Sequence, residues 1–335
     1  MKKQAKLLED TFGRKHNYLR ISLTERCNLR CSYCMPLRGV PLTPAPHLMT
    51  AKEIILIAKE FVSLGVTKIR LTGGEPLVRK DFNLILKELA QLPVKLTMTT
   101  NAVSVDKHLE LLKSCGMSTI NISLDTLNAE KFKKITFRDY FDRVYQNIML
   151  LIEEEFEVKL NAVLMKGIND NEIIDFVKLT KKLPLKVRFI EFMPFDGNQW
   201  NTQKLVSYDH IINTLRSYYG TDVIQRLKDA PNDTAKNYKV KNFSGQFAII
   251  STVTNPFCEG CNRLRLTANG FLKNCLFSNK ETDLLTPMRK GEPLQSLIHN
   301  AIAKKKAVRA GMNSQEAFED INSHSKNRSM ITIGG

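Results

Sequence analysis

The chain has 335 residues, 43% hydrophobic and 25% charged, and its 50 Lys and Arg against 34 Asp and Glu leave a net charge of +16. That composition excludes a disordered, collagen-like or low-complexity chain and suits one large domain with a smaller one. No stretch approaches the ~18 consecutive apolar residues of a membrane span and the opening MKKQAKLLED holds no apolar signal core, so a cytoplasmic protein without membrane contact is expected.

Six β-rich segments, at 18–24, 68–72, 95–101, 119–125, 157–165 and 186–193, alternate with helical patterns. This rhythm predicts about six βα units around a parallel sheet, ending near residue 220. The clearest helix start is Thr50-x-x-Glu53, a capping box ahead of an apolar-periodic run. One strand parity is apolar, as in Leu19/Ile21/Leu23 and Ile120/Ile122/Leu124. The other reads Arg20/Ser22/Thr24, Lys68/Arg70/Thr72, Thr97/Thr99/Asn101, Asn121/Ser123/Asp125 and Lys159/Asn161. A helix-sheathed parallel sheet should be hydrophobic on both faces, and these side chains cannot fill a dry barrel centre. The interior is therefore expected to be a ligand cavity, made positive by Arg20, Lys68, Arg70 and Lys159 and suited to phosphates.

Arg188 takes no face from the pattern, because both parities of 186–193 mix apolar and charged residues; a bulge would reconcile them. Past residue 220 come a polar stretch, 228–241, and a mixed segment, 243–250. The expected domains are a barrel over 1–220 and a separate C-terminal module over 221–335. The surplus charge suggests an anionic partner. Basic blocks of a nucleic-acid tail are missing apart from Lys304-Lys305-Lys306, read as a solvated helix face, so the charge points to a small-molecule site and to no nucleic acid.

A cytoplasmic chain has little use for disulfides, so its 7 cysteines are read as ligands, reactive thiols or buried hydrophobes. Cys27, Cys31 and Cys34 form C-x3-C-x2-C directly after the first strand. A structural zinc site would present four ligands, whereas three cysteines on a [4Fe–4S] cluster leave one iron open for a small molecule. The motif, with the aromatic Tyr33 before its last cysteine, resembles that of the radical S-adenosylmethionine (SAM) enzymes. Thr72-Gly73-Gly74-Glu75-Pro76, after the second strand, is similar to that family's GGEP motif, which implies that backbone and the Glu75 carboxylate receive the SAM amino group.

Cys258, Cys261 and Cys275 form a second group of three, C-x2-C-x13-C. With Arg263-Leu264-Arg265 after it, this group resembles the GTP 3′,8-cyclase family, the radical SAM branch of molybdenum-cofactor biosynthesis, over almost the whole chain. The resemblance implies an incomplete (βα)6 TIM-like barrel, with a C-terminal module that closes it below and carries a second [4Fe–4S] cluster. It implies SAM contacts at Tyr33, Gly74, Glu75, Ser123 and Met193. It implies GTP contacts at Arg20, Lys68, Arg70, Thr99, Lys159, Arg188, Arg263, Leu264 and Arg265, with catalytic parts for Arg20, Arg263, Arg265, Gly334 and Gly335. Gly334-Gly335 would enter the active site near Arg20, anchored by the apolar Met330–Ile333. A GTP substrate, a reducing electron donor and a downstream cyclic pyranopterin monophosphate synthase follow from the same likeness, which is compatible with a homodimer.

Two departures from the family pattern touch backbone geometry: Ala102 stands where Gly usually follows Asn101, and Ala248-Ile249-Ile250 replaces a Gly-containing strand. Cys115 matches no ligand and is assigned to the core. The competing readings are a radical SAM enzyme acting on tRNA or a peptide, and a zinc-dependent nucleic-acid-binding module.

Overall fold

The computed structural model describes residues 7–35, 39–324 and 327–335. The six expected strands form as β1 (Tyr18–Ser22), β2 (Lys68–Thr72), β3 (Lys95–Thr100), β4 (Thr119–Ser123), β5 (Glu157–Leu164) and β6 (Lys186–Glu191), parallel and paired in chain order. Helices α1 (Ala51–Ser63), α2 (Phe82–Leu89), α3 (Leu109–Ser114), α4 (Ala129–Thr136), α5 (Phe141–Glu153), α6 (Ile173–Leu179) and α7 (Tyr208–Tyr219) run between and after them. The capping box forms at α1: Thr50 Oγ1 accepts from Glu53 N while the Glu53 carboxylate accepts from Thr50 N.

Period-two alternation sorts the strand faces. Leu19, Ile21, Ile69, Leu71, Ile120 and Ile122 are wholly buried in one core with Ile54, Phe61, Phe82 and Leu86 of the helices. The opposite parity carries the polar residues to the concave side. β6 pairs with both neighbours without a bulge and sets Arg188 beside Asn161 and Ala248 on that side. The charge on the other parity is Glu191, whose carboxylate accepts from Tyr208 N, Val253 N and Thr254 N and so ties incoming loops to the strand end. That bonding reconciles the mixed pattern without a bulge.

Gly220 ends α7 with φ +93. Beyond it the chain extends the barrel sheet at both edges instead of building a sheet of its own. β7 (Ile224–Arg226), β8 (Lys236–Val240) and β9 (Gln246–Ile250) join through β9, parallel to β6. β10 (Arg263–Leu266), β11 (Phe271–Lys273) and β12 (Thr282–Asp283) join through β10, parallel to β1. The resulting 12-stranded sheet runs from β12 to β7 without closing on itself. No helix of the described residues is long and apolar enough to cross a membrane.

This topology assigns the cysteine groups to opposite ends. The first follows the C-terminal end of β1, whereas Cys258 and Cys261 precede β10 at the N-terminal end of the parallel strands. Antiparallel β11 returns Cys275 to that same end. Tyr18 to Ser22 covers about 13 Å at ~3.3 Å per residue, which sets the depth of polar wall between them.

Candidate functional site

At the C-terminal mouth, Cys27, Cys31 and Cys34 line one cavity with Tyr33, Gly74, Ser123 and Met193. Burial pushes the Cys27 thiol up to about 11 and the Cys34 thiol up to about 12, and Cys31 is also raised, by burial and then by the charges of Asp125, Cys34 and Cys27. The thiols are thus within electrostatic reach of one another. Among the described residues no three His, Cys, Asp or Glu side chains converge on a single metal-ion position. Three thiols within electrostatic reach of one another suit a cluster that takes three cysteine ligands, and loading it displaces the protons that burial retains.

Glycine is required at the second strand's end for a reason of packing. A Cβ on Gly73 would meet Thr24 O at 2.7 Å, and one on Gly74 would meet Arg26 O at 2.5 Å. The loop lies against the cysteine-bearing segment, and Gly74 N donates to Thr24 O at 2.8 Å. Glu75 is 2% exposed, and its oxygens accept from Leu77 N, Thr100 Oγ1 and Asn101 N at 3.0, 2.8 and 2.7 Å, which ties the end of the second strand to that of the third. Burial raises its carboxyl to about 7.

Asn101, so held, donates to Asn28 Oδ1 at 2.7 Å inside the cysteine loop. Ala102 after it keeps the left-handed backbone expected of glycine, φ +61, and Asn147 Nδ2 binds its carbonyl at 2.7 Å. For a residue with a Cβ that conformation costs about 1–2 kcal/mol. The other departure, Ala248, sits in the regular β9. Tyr33 donates to Asp125 Oδ2 at 2.7 Å, and Asp125, raised to about 6 by burial, accepts from Val163 N through its other oxygen. Asp125 was legible as an inward residue, but nothing in the sequence paired it with Tyr33.

Deeper in the barrel, strand register builds layers of cations. Arg20 is flanked by Arg70 and Arg265, and Tyr18 below it by Lys68 and Arg263. Burial lowers Arg70 to about 10 and Arg188 to about 9, and neighbouring arginines add to both shifts. Arg265 is also lowered, by burial and then by Arg20 and Arg263. These charges repel one another.

Lys159 joins this wall but pairs with Glu157 at 2.7 Å. Thr99 lines the cavity. Leu264 does not: it alternates with Arg263 and Arg265, and its wholly buried side chain lies in the helix-facing core opposite Leu19. Tyr18 was missed by the sequence reading although it shares Arg20's parity. Its ring lies 4.7 Å from Lys68 Nζ and 5.6 Å from the Arg70 guanidinium carbon. Burial opposes ionisation of its hydroxyl, but Arg70, Arg20 and Lys68 bring it down to about 7.

At the N-terminal end, burial raises the Cys258 thiol, and the neighbouring Cys275 and Cys261 add to the rise. Cys261 is brought down to about 6: burial opposes the shift, but Arg263 and Lys305 outweigh it. Cys115 packs against the core.

The tail enters the cavity. Met330–Ile333 forms one helical turn with Ile331 and Ile333 buried, then Gly334 takes φ +86. A Cβ there would meet Ser22 Cβ at 2.6 Å and Thr72 Oγ1 at 3.0 Å. Its carbonyl accepts from Arg265 Nη1 at 3.1 Å, one strand over from Arg20, and Gly335 lines the cavity of the first cysteines.

Residues 21–180 match the family model of the radical SAM superfamily, and 185–310 match that of Molybdenum Cofactor Synthesis C. The mitochondrial GTP 3′,8-cyclase of Arabidopsis thaliana is 50% identical over 335 residues, 98% of this chain and 84% of that protein. The GTP 3′,8-cyclase of Peptoclostridium acidaminophilum is 40% identical over 305 residues, 89% of this chain and 92% of that protein. Molybdenum cofactor biosynthesis protein 1 of Bos taurus is 48% identical over 97% of this chain, which spans 51% of that protein. Streptococcus suis SuiB bound to S-adenosylmethionine shares the fold, with TM-score 0.58 at 19% identity over 89% of this chain and 69% of its own.

Proposed function

The chain belongs to the GTP 3′,8-cyclase family of radical SAM enzymes, and from that membership we propose that it converts GTP to 3′,8-cyclo-7,8-dihydroguanosine 5′-triphosphate, the first step of molybdenum-cofactor biosynthesis. The observation that carries this reading is a set of buried polar atoms without partners: Tyr18 Oη, Arg20 Nε, Asn121 Nδ2 and Oδ1, Asn161 Oδ1 and Arg188 Nε. They come from four strands on the inward parity. Each such atom left unpaired costs about 1–3 kcal/mol, so this wall suits a polar ligand that completes it. Lined also by Arg70, Arg263 and Arg265, it suits a polyanion with hydrogen-bonding edges. Cations directed inward also weigh against tRNA, which would need them on the surface.

Cys27, Cys31 and Cys34 would hold one [4Fe–4S] cluster and Cys258, Cys261 and Cys275 another; when bound, the first supplies the electron that splits SAM into methionine and a 5′-deoxyadenosyl radical. In the proposed reaction ribose C3′ gives its hydrogen to the 5′-deoxyadenosyl radical, which leaves as 5′-deoxyadenosine, the C3′ radical adds to guanine C8, and the aminyl radical that results takes one electron from the reducing donor and one proton. The chain's task is positioning. Tyr33, fixed by Asp125, and Gly74, Ser123 and Met193 hold SAM at the mouth. Arg20, Lys68, Arg70, Lys159, Arg188, Arg263 and Arg265 hold the triphosphate and purine below it. Arg265 fixes the Gly334 carbonyl between the two, where the tail excludes water. Residues 1–220 then serve SAM, and 221–335 supply the second cluster and the tail.

The reading needs a reducing electron donor, passes its product to a cyclic pyranopterin monophosphate synthase, and places the enzyme in the cytoplasm, with a homodimer compatible. Anaerobic incubation with SAM, dithionite and each of the four nucleoside triphosphates, followed by mass spectrometry, tests it. An isomer of GTP alone is expected; no isomer, or one from every nucleotide, would overturn the reading.

A further inference from the structure

Lys304-Lys305-Lys306 is not the solvated helix face that its sequence suggests. The helix Gln295–Ala303 ends before it, and Lys305 turns inward to 3% exposure while both neighbours stay exposed. The Lys305 ammonium donates to Cys261 Sγ at 3.4 Å and to the Arg263 carbonyl at 3.1 Å. Among the described residues no carboxylate lies within ion-pair distance of it; Asp10, in the adjoining loop, is taken by Arg14 and His16. A buried ammonium needs an anion or a full set of acceptors. The group facing it is a cysteine sulfur.

Arg14 holds this arrangement from behind. Its Nη1 donates to the carbonyls of Cys258 and Ala307 at 2.9 and 2.8 Å, and its Nη2 to that of Lys306 at 2.9 Å. One guanidinium therefore clamps the segment that carries Lys305 onto the loop that carries the second cysteines. Around the first group, by contrast, the donors to Cys27 sulfur are the neutral Leu29 N at 3.4 Å and Asn101 Nδ2 at 3.8 Å.

We propose that Lys305 is a positioning residue of the second iron–sulfur cluster, its hydrogen bond to the Cys261 sulfur and its positive charge holding that cluster at a more positive reduction potential than the first. This rests on the reading of Cys258, Cys261 and Cys275 as cluster ligands. Hydrogen bonds to ligand sulfur and net charge around a cluster are the protein's means of setting its potential. A cluster so held is a weak reductant and a strong Lewis acid, which leaves electron delivery to the first cluster and suits the second to binding an electron-rich purine edge.

The test uses full-length protein carrying Cys27→Ala, Cys31→Ala and Cys34→Ala, so that only the second cluster is observed. Lys305→Met keeps the length of the side chain without charge, and Lys305→Arg keeps the charge. Iron and sulfide analysis measures loading, and a redox titration followed by electron paramagnetic resonance measures the midpoint. Equal loading with a more negative midpoint in Lys305→Met, and a smaller shift in Lys305→Arg, is the expected result. Loss of the cluster from Lys305→Met but not from Lys305→Arg also supports a charge requirement. An unchanged midpoint in Lys305→Met, or loss of the cluster from both variants, overturns the proposal. If the parent with native Lys305 binds no iron and sulfide, the two-cluster reading itself fails.

Discussion

At the first cysteine group burial acts without an opposing cation and holds Cys27 and Cys34 up at about 11 and about 12, whereas at the second Arg263 and Lys305 overcome burial and bring Cys261 down to about 6. Both groups present three thiols, and spacing alone makes them two copies of one device. The surroundings do not. The first sits at the mouth among Gly74, Tyr33 and Asp125, in a pocket shaped by backbone and by carboxylates. The second sits at the opposite end of the strands beside stacked cations. Ligand identity makes a cluster possible, and the charges behind the ligands decide what it does.

The comparison breaks outright if the two groups are interchangeable. Replacing Cys27, Cys31 or Cys34 by Ala should abolish reductive SAM cleavage. Replacing Cys258, Cys261 or Cys275 should leave uncoupled 5′-deoxyadenosine formation measurable by chromatography while cyclisation is lost. Normal cyclisation in any of the six variants would remove the distinction.

Next in size is the cationic wall between the groups. Arg70→Ala and Arg188→Ala should each weaken GTP binding by about 1.5–3 kcal/mol, roughly 10- to 150-fold, with SAM affinity held. Lys159→Ala should cost less, because Lys159 must leave Glu157 to reach a ligand. Equilibrium dialysis with both ligands decides whether the wall belongs to the substrate side alone.

The tail sharpens the comparison because it lies between the two halves. With φ +86 and only 2.6 Å between its added Cβ and Ser22, Gly334→Ala cannot keep this path. Cyclic product should fall at least about tenfold, ~1.4 kcal/mol of transition-state stabilisation, with SAM cleavage and melting temperature nearly unchanged. Full activity would make the tail an ordinary chain end.

The smallest effect is a pH dependence on the substrate side. The Tyr18 hydroxyl is depressed to about 7, so raising the pH through that value places a negative charge among the cations. A bound triphosphate opposes that charge. GTP affinity should therefore decline as the pH rises above about 7, by at most about tenfold per unit, and Tyr18→Phe should remove this part of the decline. An identical profile in the variant would place Tyr18 outside the binding site.

The βα order, the capping box and the inward parity of Arg20, Arg70 and Ser123 were legible because period-two alternation and local hydrogen bonding act within a few residues. Cysteine spacing likewise announced two ligand groups. What stayed hidden involved partners far apart in the chain: Asp125 behind Tyr33, and the bonds from Thr100 and Asn101 to the Glu75 carboxylate. The Leu264 side chain went to the core because a strand presents only alternate side chains to one face, which leaves its backbone as the part that could meet a ligand.

By itself the sequence determined where the six barrel strands lie, which face the first five of them show and how the cysteines are spaced, since each depends on neighbours a few positions away. Tertiary structure decided that the segments after residue 220 complete the barrel's own sheet, that Arg188 points inward without a bulge, and that the middle lysine of a charged run meets a cysteine sulfur. The physical reason is the same in each case: the outcome depends on strand pairing and burial among groups distant in the chain, and a charge takes its meaning from whatever the fold sets opposite it.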